Sequence, residues 1–230
     1  MVELRLKAGK IRNPDIHKVG IIALGSHLEN HGPALPIDTD AKIASYIALQ
    51  ASLECGAKFL GVIYPAYELD EINHGIHVSL EELKNNIIET LKSAKKYLGV
   101  EKVIIVNAHG GNLPIFTELP AIEDETGMVV ILNNKVIDAE GPHAGTGELS
   151  MAKILGILNE KEVENQDDLE RFEEVGLYGF HQARKNDPGI EEGAREIEEN
   201  GVEVDEVHGK QLLNLAINAV VLDTEKLLDF

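Results

Sequence analysis

The chain has 230 residues, 43% of them hydrophobic, and its 21 Lys and Arg against 40 Asp and Glu give a formal net charge of −19. That length and apolar content suffice for a full core, so one domain over residues 1–230 is expected. The acidic balance lacks the basic footprint that nucleic acid or an anionic membrane surface requires, whereas a small anionic substrate stays open because one bound dication dominates its local field.

Met1-Val-Glu-Leu-Arg-Leu-Lys has no signal-peptide apolar core, and no apolar run reaches bilayer-spanning length, so a cytoplasmic protein is expected. Val19 to Leu24 reads as a buried strand. Directly after it, the loop from Gly25 to Asp40 sets Glu29, His31 and Asp40 among Gly32, Pro33 and Pro36. A divalent cation needs deprotonated N and O donors on a backbone that turns sharply, and this loop offers both. Glu29 and His31 point the same way if extended, and Asp40 closes the set from the first turn of the next helix, where the helix dipole favours a carboxylate. The competing reading is a polar surface loop that happens to be rich in acids and histidine.

Asp40 to Glu54 has the spacing of a helix, with Ile43, Ile47 and Ala51 on one face, and Cys55 on the same helix reads as a buried, inert thiol. As the single cysteine, Cys55 excludes an intrachain disulfide and a Cys-rich zinc site. Phe59 to Tyr64 is the second predicted strand, ended by Pro65. Ser79 with Glu82 forms a capping box for a helix through Leu98 that stops at Gly99. Val103 to Val106 is the third strand, and Asn107-Ala-His109-Gly110-Gly111-Asn112 follows it. Paired glycines beside a histidine suit a backbone that approaches something closely or offers its N–H groups to an anion. Leu113 to Glu125 reads as a helix closed by Gly127, and Met128 to Leu132 as the fourth strand. A third cluster, Gly141-Pro-His143-Ala-Gly-Thr-Gly-Glu148-Leu-Ser150, leads into a helix around Ser150 to Leu158.

The acidic blocks Asn159 to Glu174 and Glu191 to Glu206 read as solvated helix faces. Between them, Tyr178 to Lys185 suits a lid, a subunit contact or an ordinary connection. A last helix spans roughly Lys210 to Val221. The alternation implies an α/β fold of three layers, a mainly parallel sheet with helices on both faces. Ligands in such a sheet bind beyond the carboxyl ends of the strands, so Glu29, His31, His74, His109 and His143 can share one cleft. An exposed or internally satisfied side chain suffices for His17, His27 and His208.

These residues suit metal-assisted hydrolysis of an amide, with His143 and Glu148 moving protons and the Gly110 and Gly111 N–H groups near the oxyanion. A nucleotide-binding α/β domain lacks its Gly-rich signature here, since neither a Gly-x-Gly-x-x-Gly turn nor a Walker loop is present. A metal-binding scaffold without turnover uses the same ligands and stays open.

The three clusters resemble the motifs of the creatininase superfamily: Glu29-Asn-His31-Gly-Pro with Leu35-Pro36 and Asp40, then Asn107-Ala-His109-Gly-Gly-Asn112, then His143-Ala-Gly-Thr-Gly-Glu148. The resemblance implies that Glu29, His31, Asp40 and His109 ligate one or two divalent cations per subunit, Fe(II) and/or Zn(II) or else Mn(II), with Asp40 able to bridge. It implies catalytic roles for His143 and Glu148, and substrate contacts from His74, Gly110, Gly111 and Asn112. Creatininase carries Glu two residues after the second-motif histidine, whereas this chain has Gly111, so one metal position is expected to be either more weakly held or completed by Glu148 or water. The His74-Gly-Ile-His77 segment is shorter than its family counterpart, which points away from creatinine as substrate. The implied activity is hydrolysis of a formamide on a phosphorylated pyrimidine nucleoside, leading toward riboflavin and a deazaflavin coenzyme, by a homo-oligomer, dimer or hexamer. Another amidohydrolase activity, on a cyclic amide or peptide, is the alternative.

Overall fold

Six consecutive buried residues, Val19–Leu24, form the strand on which the sheet is built. The structure, a computed structural model, describes residues 13–229; the N-terminal segment Met1 to Lys7 read above lies outside them. Strands β1 (Val19–Leu24), β2 (Lys58–Ile63), β3 (Lys102–Asn107) and β4 (Val129–Asn133) make one parallel sheet in the order β2-β1-β3-β4.

Alternate side chains of the two inner strands go to opposite faces. Ile21, Ala23, Ile104 and Val106 pack against α1 (Thr39–Cys55) and α8 (Glu206–Asp229) through Ile43, Ile47, Leu213 and Val220. Ile22, Leu24, Val103 and Ile105 pack against α2 (Leu80–Leu98) and α3 (Leu119–Thr126) through Leu83, Ile87, Leu91 and Ile122. This sorting of near-continuous apolar runs produces the expected three-layer α/β arrangement. The Ser79 hydroxyl accepts from the Glu82 N–H at 3.2 Å and starts α2, and Gly99 ends it at φ +66°.

Several sequence expectations shift. The predicted helix from Leu113 to Glu125 is a run of 3-10 turns over Gly110–Glu118, becoming α-helical only at Leu119. Pro114 sits inside that run and has no N–H to donate to a regular helix. The helix of the third cluster, α5, spans Thr146–Leu155 and stops at Gly156, earlier at both ends than expected; α4 (Ile137–Glu140) is a single turn before it. The first acidic block holds only a 3-10 turn, Glu160–Asn165, and conceals a fully buried Gln166. Beyond it, α6 (His181–Asn186) leads into α7 (Pro188–Asn200), whose first N–H groups are capped by Asp187. Cys55 is half-buried beside Thr224 and not fully buried. Among the described residues no helix is long and apolar enough to cross a membrane.

The strand order fixes where a ligand can bind. From β1 the chain moves through α1 to one side of the sheet, and from β3 it moves through α3 to the other. The neighbouring carboxyl ends of β1 and β3 therefore flank a crevice at the point where the winding reverses.

Helix α8 crosses α5 closely because Gly209 lacks a side chain: a Cβ there would overlap the Ser150 carbonyl. Gly209→Ala should lower stability by about 1 to 3 kcal/mol despite the better helix propensity of alanine. Chemical denaturation measures this, and a variant as stable as the parent would contradict the close crossing.

Candidate metal centre

Loops at the carboxyl ends of three strands, together with α1 and α5, bring their polar residues to the crevice. The loop after β1 carries Glu29 and His31, and Asp40 follows in the first turn of α1. The loop after β2 runs alongside the first, with Asn30 N donating to His74 O at 2.9 Å and Ile76 N to Leu28 O at 2.8 Å. This short ladder delivers His74 and Glu68. His109 follows β3, and α5 brings Glu148 in its first turn with His143 just ahead of it.

Buried amides hold these loops in register. Gln166 donates to the carbonyls of His31 and Ala144 at 2.8 and 2.9 Å and accepts from Ala34 N at 2.9 Å, tying the first cluster to the third. Asn112 accepts from Tyr67 N at 2.9 Å and donates to Asn107 Oδ1 at 3.2 Å. Both ends of its amide are thus engaged inside the protein, so Asn112 braces two loops and does not line the cavity expected to receive substrate.

Four imidazoles share one construction. His31 Nδ1 lies 2.9 Å from Glu29 O, His74 Nδ1 3.2 Å from Asn30 O, His109 Nε2 3.0 Å from Tyr67 O and His143 Nε2 3.0 Å from Asn30 O. A carbonyl only accepts, so each of those nitrogens carries the hydrogen and the other nitrogen of the ring faces inward. His31 Nε2 is 2.8 Å from Asp40 Oδ1 and 3.5 Å from Glu148 Oε2. His109 Nδ1 is 2.9 Å from both Glu29 Oε2 and Asp40 Oδ2. His74 Nε2 is 3.1 Å from Glu29 Oε1 and 3.6 Å from Glu68 Oε2. His143 Nδ1 is farther out, 3.7 Å from Glu29 Oε1 and 4.0 Å from Glu148 Oε1.

The donor set fits a metal. Glu29 Oε2, Asp40 Oδ2, His74 Nε2 and Glu148 Oε2 are buried without a hydrogen-bond partner, which is costly unless something else binds them. Ligand atoms of Glu29, His31 and Asp40 lie within 4.8 Å of one another, as do those of Glu29, His74 and His143 and those of His31, His143 and Glu148. Burial alone would push His31 down, yet Asp40 and Glu148 hold it well above the usual histidine range, and Glu29 and Asp40 do the same for His109. Against its burial, His74 is carried up to about 9 by Glu29 and Glu68. Protons on these rings occupy the place of cationic charge that the carboxylates demand. Burial pushes Glu148 up to about 8, while burial and then His31 keep His143 well below the ordinary value.

A cavity of about 510 Å³ opens from this cluster, with Gly110, Gly111, His143 and Glu148 on its wall. All six expected metal and catalytic residues, Glu29, His31, Asp40, His109, His143 and Glu148, come together. His74, expected as a substrate contact, is buried with its ring facing Glu29. Glu68 was not singled out in the sequence. A Cβ on Gly111 would lie 2.6 Å from both Glu68 Oε1 and His109 Nε2, so the glycine leaves room that the Glu68 carboxylate fills. His77 was likewise undervalued: its ring stacks on His109 with centroids 5.3 Å apart, and its Nε2 is 3.1 Å from Ser26 Oγ.

Comparison with known proteins identifies the family and the fold. Over its whole length the chain is 73% identical to a Methanobrevibacter smithii protein described as 2-amino-5-formylamino-6-ribosylaminopyrimidin-4(3H)-one 5′-monophosphate deformylase, covering 100% of each. A solved creatinine amidohydrolase (creatininase) has the same fold, with a TM-score of 0.64 at 13% identity over 91% of this chain and 90% of that one. A mutant creatininase of Zn-Zn type matches with a TM-score of 0.63, also at 13% identity, covering 91% and 90%. The creatinine amidohydrolase family model matches residues 10–222, and the chain belongs to the creatininase family.

Proposed function

We propose that this chain, as one domain over residues 1–230, is a metal-dependent formamide hydrolase. It removes the formyl group from 2-amino-5-formylamino-6-ribosylaminopyrimidin-4(3H)-one 5′-monophosphate and releases formate. Two lines support the reading: the name carried by a relative of 73% identity over the full length, and the cluster itself. The observation that carries the chemistry is the set of four imidazoles, each pinned by a backbone carbonyl and each aiming its other nitrogen at buried carboxylates.

Glu29, His31, Asp40 and His109 are the proposed ligands of one or two divalent cations, Fe(II) or Zn(II), with Mn(II) as the alternative. When bound, such a cation supplies Lewis-acid activation of water and of the formyl carbonyl. The chain's own groups do the rest. His143, kept neutral by burial and with Nδ1 open, takes a proton from the attacking water. The imidazolium so formed, backed by the Glu148 carboxyl 4.0 Å away, returns that proton to the departing amine nitrogen. The same burial thus keeps the imidazole unprotonated and the neighbouring carboxyl raised. The Gly110 and Gly111 N–H groups border the cavity where charge develops on the formyl oxygen. A homo-oligomer is the assembly proposed with this reading; Tyr64 and Ile76, each 75% exposed, lie just beyond β2 and in the loop that follows it.

The direct test is formate release from this nucleotide by metal-stripped and metal-reloaded protein, with creatinine as comparator. Turnover of the nucleotide only after reloading is expected, and hydrolysis of creatinine but not of the nucleotide would contradict the assignment.

His31→Ala or His109→Ala should lower metal content and activity together while circular dichroism stays unchanged, because both residues lie outside the hydrophobic cores. Elemental analysis of the purified variants decides it, and full metal occupancy in both would remove these residues from the ligand set.

His143→Asn should retain metal and substrate affinity and lose about 10²- to 10⁴-fold in kcat. If His143 serves only to tether Asn30, the variant will instead unfold at a lower midpoint with kcat near that of the parent.

A further inference from the structure

One carboxyl on the cavity wall has no task in this mechanism. Glu140 ends α4, is 9% exposed and borders the same cavity as Asp40 and Glu148. Among the described residues its side chain has no hydrogen bond or ion pair, and its carboxyl oxygens are not among the enclosed, partnerless ones, so they are open to the cavity. The other acids on that wall are engaged: Glu29, Asp40, Glu68 and Glu148 face the imidazoles, and Asp187 caps α7 through the N–H groups of Gly189 and Ile190. Among the described residues, no Lys or Arg lines the cavity.

We infer that Glu140 is a specificity residue that binds the cyclic-amide edge, –NH–C(=O)–, of the substrate's heterocycle. The inference rests on the deformylase reading above and names the group that recognises the ring. In that substrate the ring carbonyl is attached next to the carbon bearing the formylamino group, and the ring N–H follows it. A side chain close to the cluster, yet outside it, is therefore where such an edge arrives when the formyl group is at the ligands. A carboxyl oxygen accepts from the ring N–H in either protonation state, and the second oxygen, when it carries a hydrogen, donates to the ring carbonyl beside it. Leu69, Ile72, Leu113, Leu177 and Ile190 give the remaining cavity apolar walls suited to a planar ring.

The test is steady-state kinetics of formate release by metal-loaded wild type, Glu140→Leu and Glu140→Gln, with metal content and unfolding midpoint measured on each. Glu140→Leu should raise KM about 10- to 100-fold at full metal occupancy, with kcat changed far less, since the bond holds ground state and transition state alike. Glu140→Gln, which keeps one acceptor and one donor at the same size, should lie nearer to wild type in KM. A KM unchanged in Glu140→Leu overturns the assignment, as does loss of kcat or of metal with KM unchanged, which would make Glu140 part of the cluster. Glu140→Gln no better than Glu140→Leu also overturns it. Wild-type protein that releases no formate from this nucleotide overturns the deformylase reading itself, a result distinct from all of these.

Discussion

Four carboxylates and four imidazoles converge on one buried point, and such a set is tolerable only with positive charge among them. The rest of the architecture follows from supplying that charge and holding the donors still. Asp40 lies in the first turn of α1, where the helix dipole favours a carboxylate, and Glu148 lies in the first turn of α5. The imidazoles cannot turn freely because each is bonded to a main-chain carbonyl, which selects the nitrogen that faces the carboxylates. In the absence of a cation, raised affinities of His31, His74 and His109 for protons partly meet the demand.

The sheet makes this convergence possible without itself contributing a ligand. Pairing of Leu24 with Asn107 aligns the ends of β1 and β3, so the loops bearing Glu29 and His109 leave the sheet side by side. Buried side-chain amides then do what secondary structure cannot do in loops. Gln166 links the His31 backbone to the Ala144 backbone, while Asn107 and Asn112 lock the turn after β3 to the loop after β2. The rigidity that a metal centre requires comes from hydrogen bonds between loops, mounted on two apolar cores.

Much of this is legible in the sequence, and for a physical reason. Glu29, His31, Asp40, His109, His143 and Glu148 each stand where an apolar run or helical pattern begins or ends, and α/β winding carries such positions to one crevice. Glu68 and Gln166 escape that logic. Each lies in an acidic stretch whose composition is that of a solvated face, and only tertiary contact buries it. Asn112, for which the family resemblance implies a substrate contact, has both ends of its amide engaged by Tyr67 and Asn107, a bracing role that no local pattern announces. The extent of the helix after β3 is lost for a local reason, since a Pro114 inside an otherwise helical pattern gives 3-10 turns before the α-helix can start.

The central claim is that cationic charge completes the cluster at the ends of β1 and β3. Crystallography of metal-reloaded protein, with anomalous data collected above and below the absorption edge of the added metal, tests it most directly. The account predicts one or two anomalous peaks within about 2.0 to 2.3 Å of donor atoms from Glu29, His31, Asp40 and His109. Full-occupancy peaks elsewhere on the surface, with none among these four residues, would contradict it.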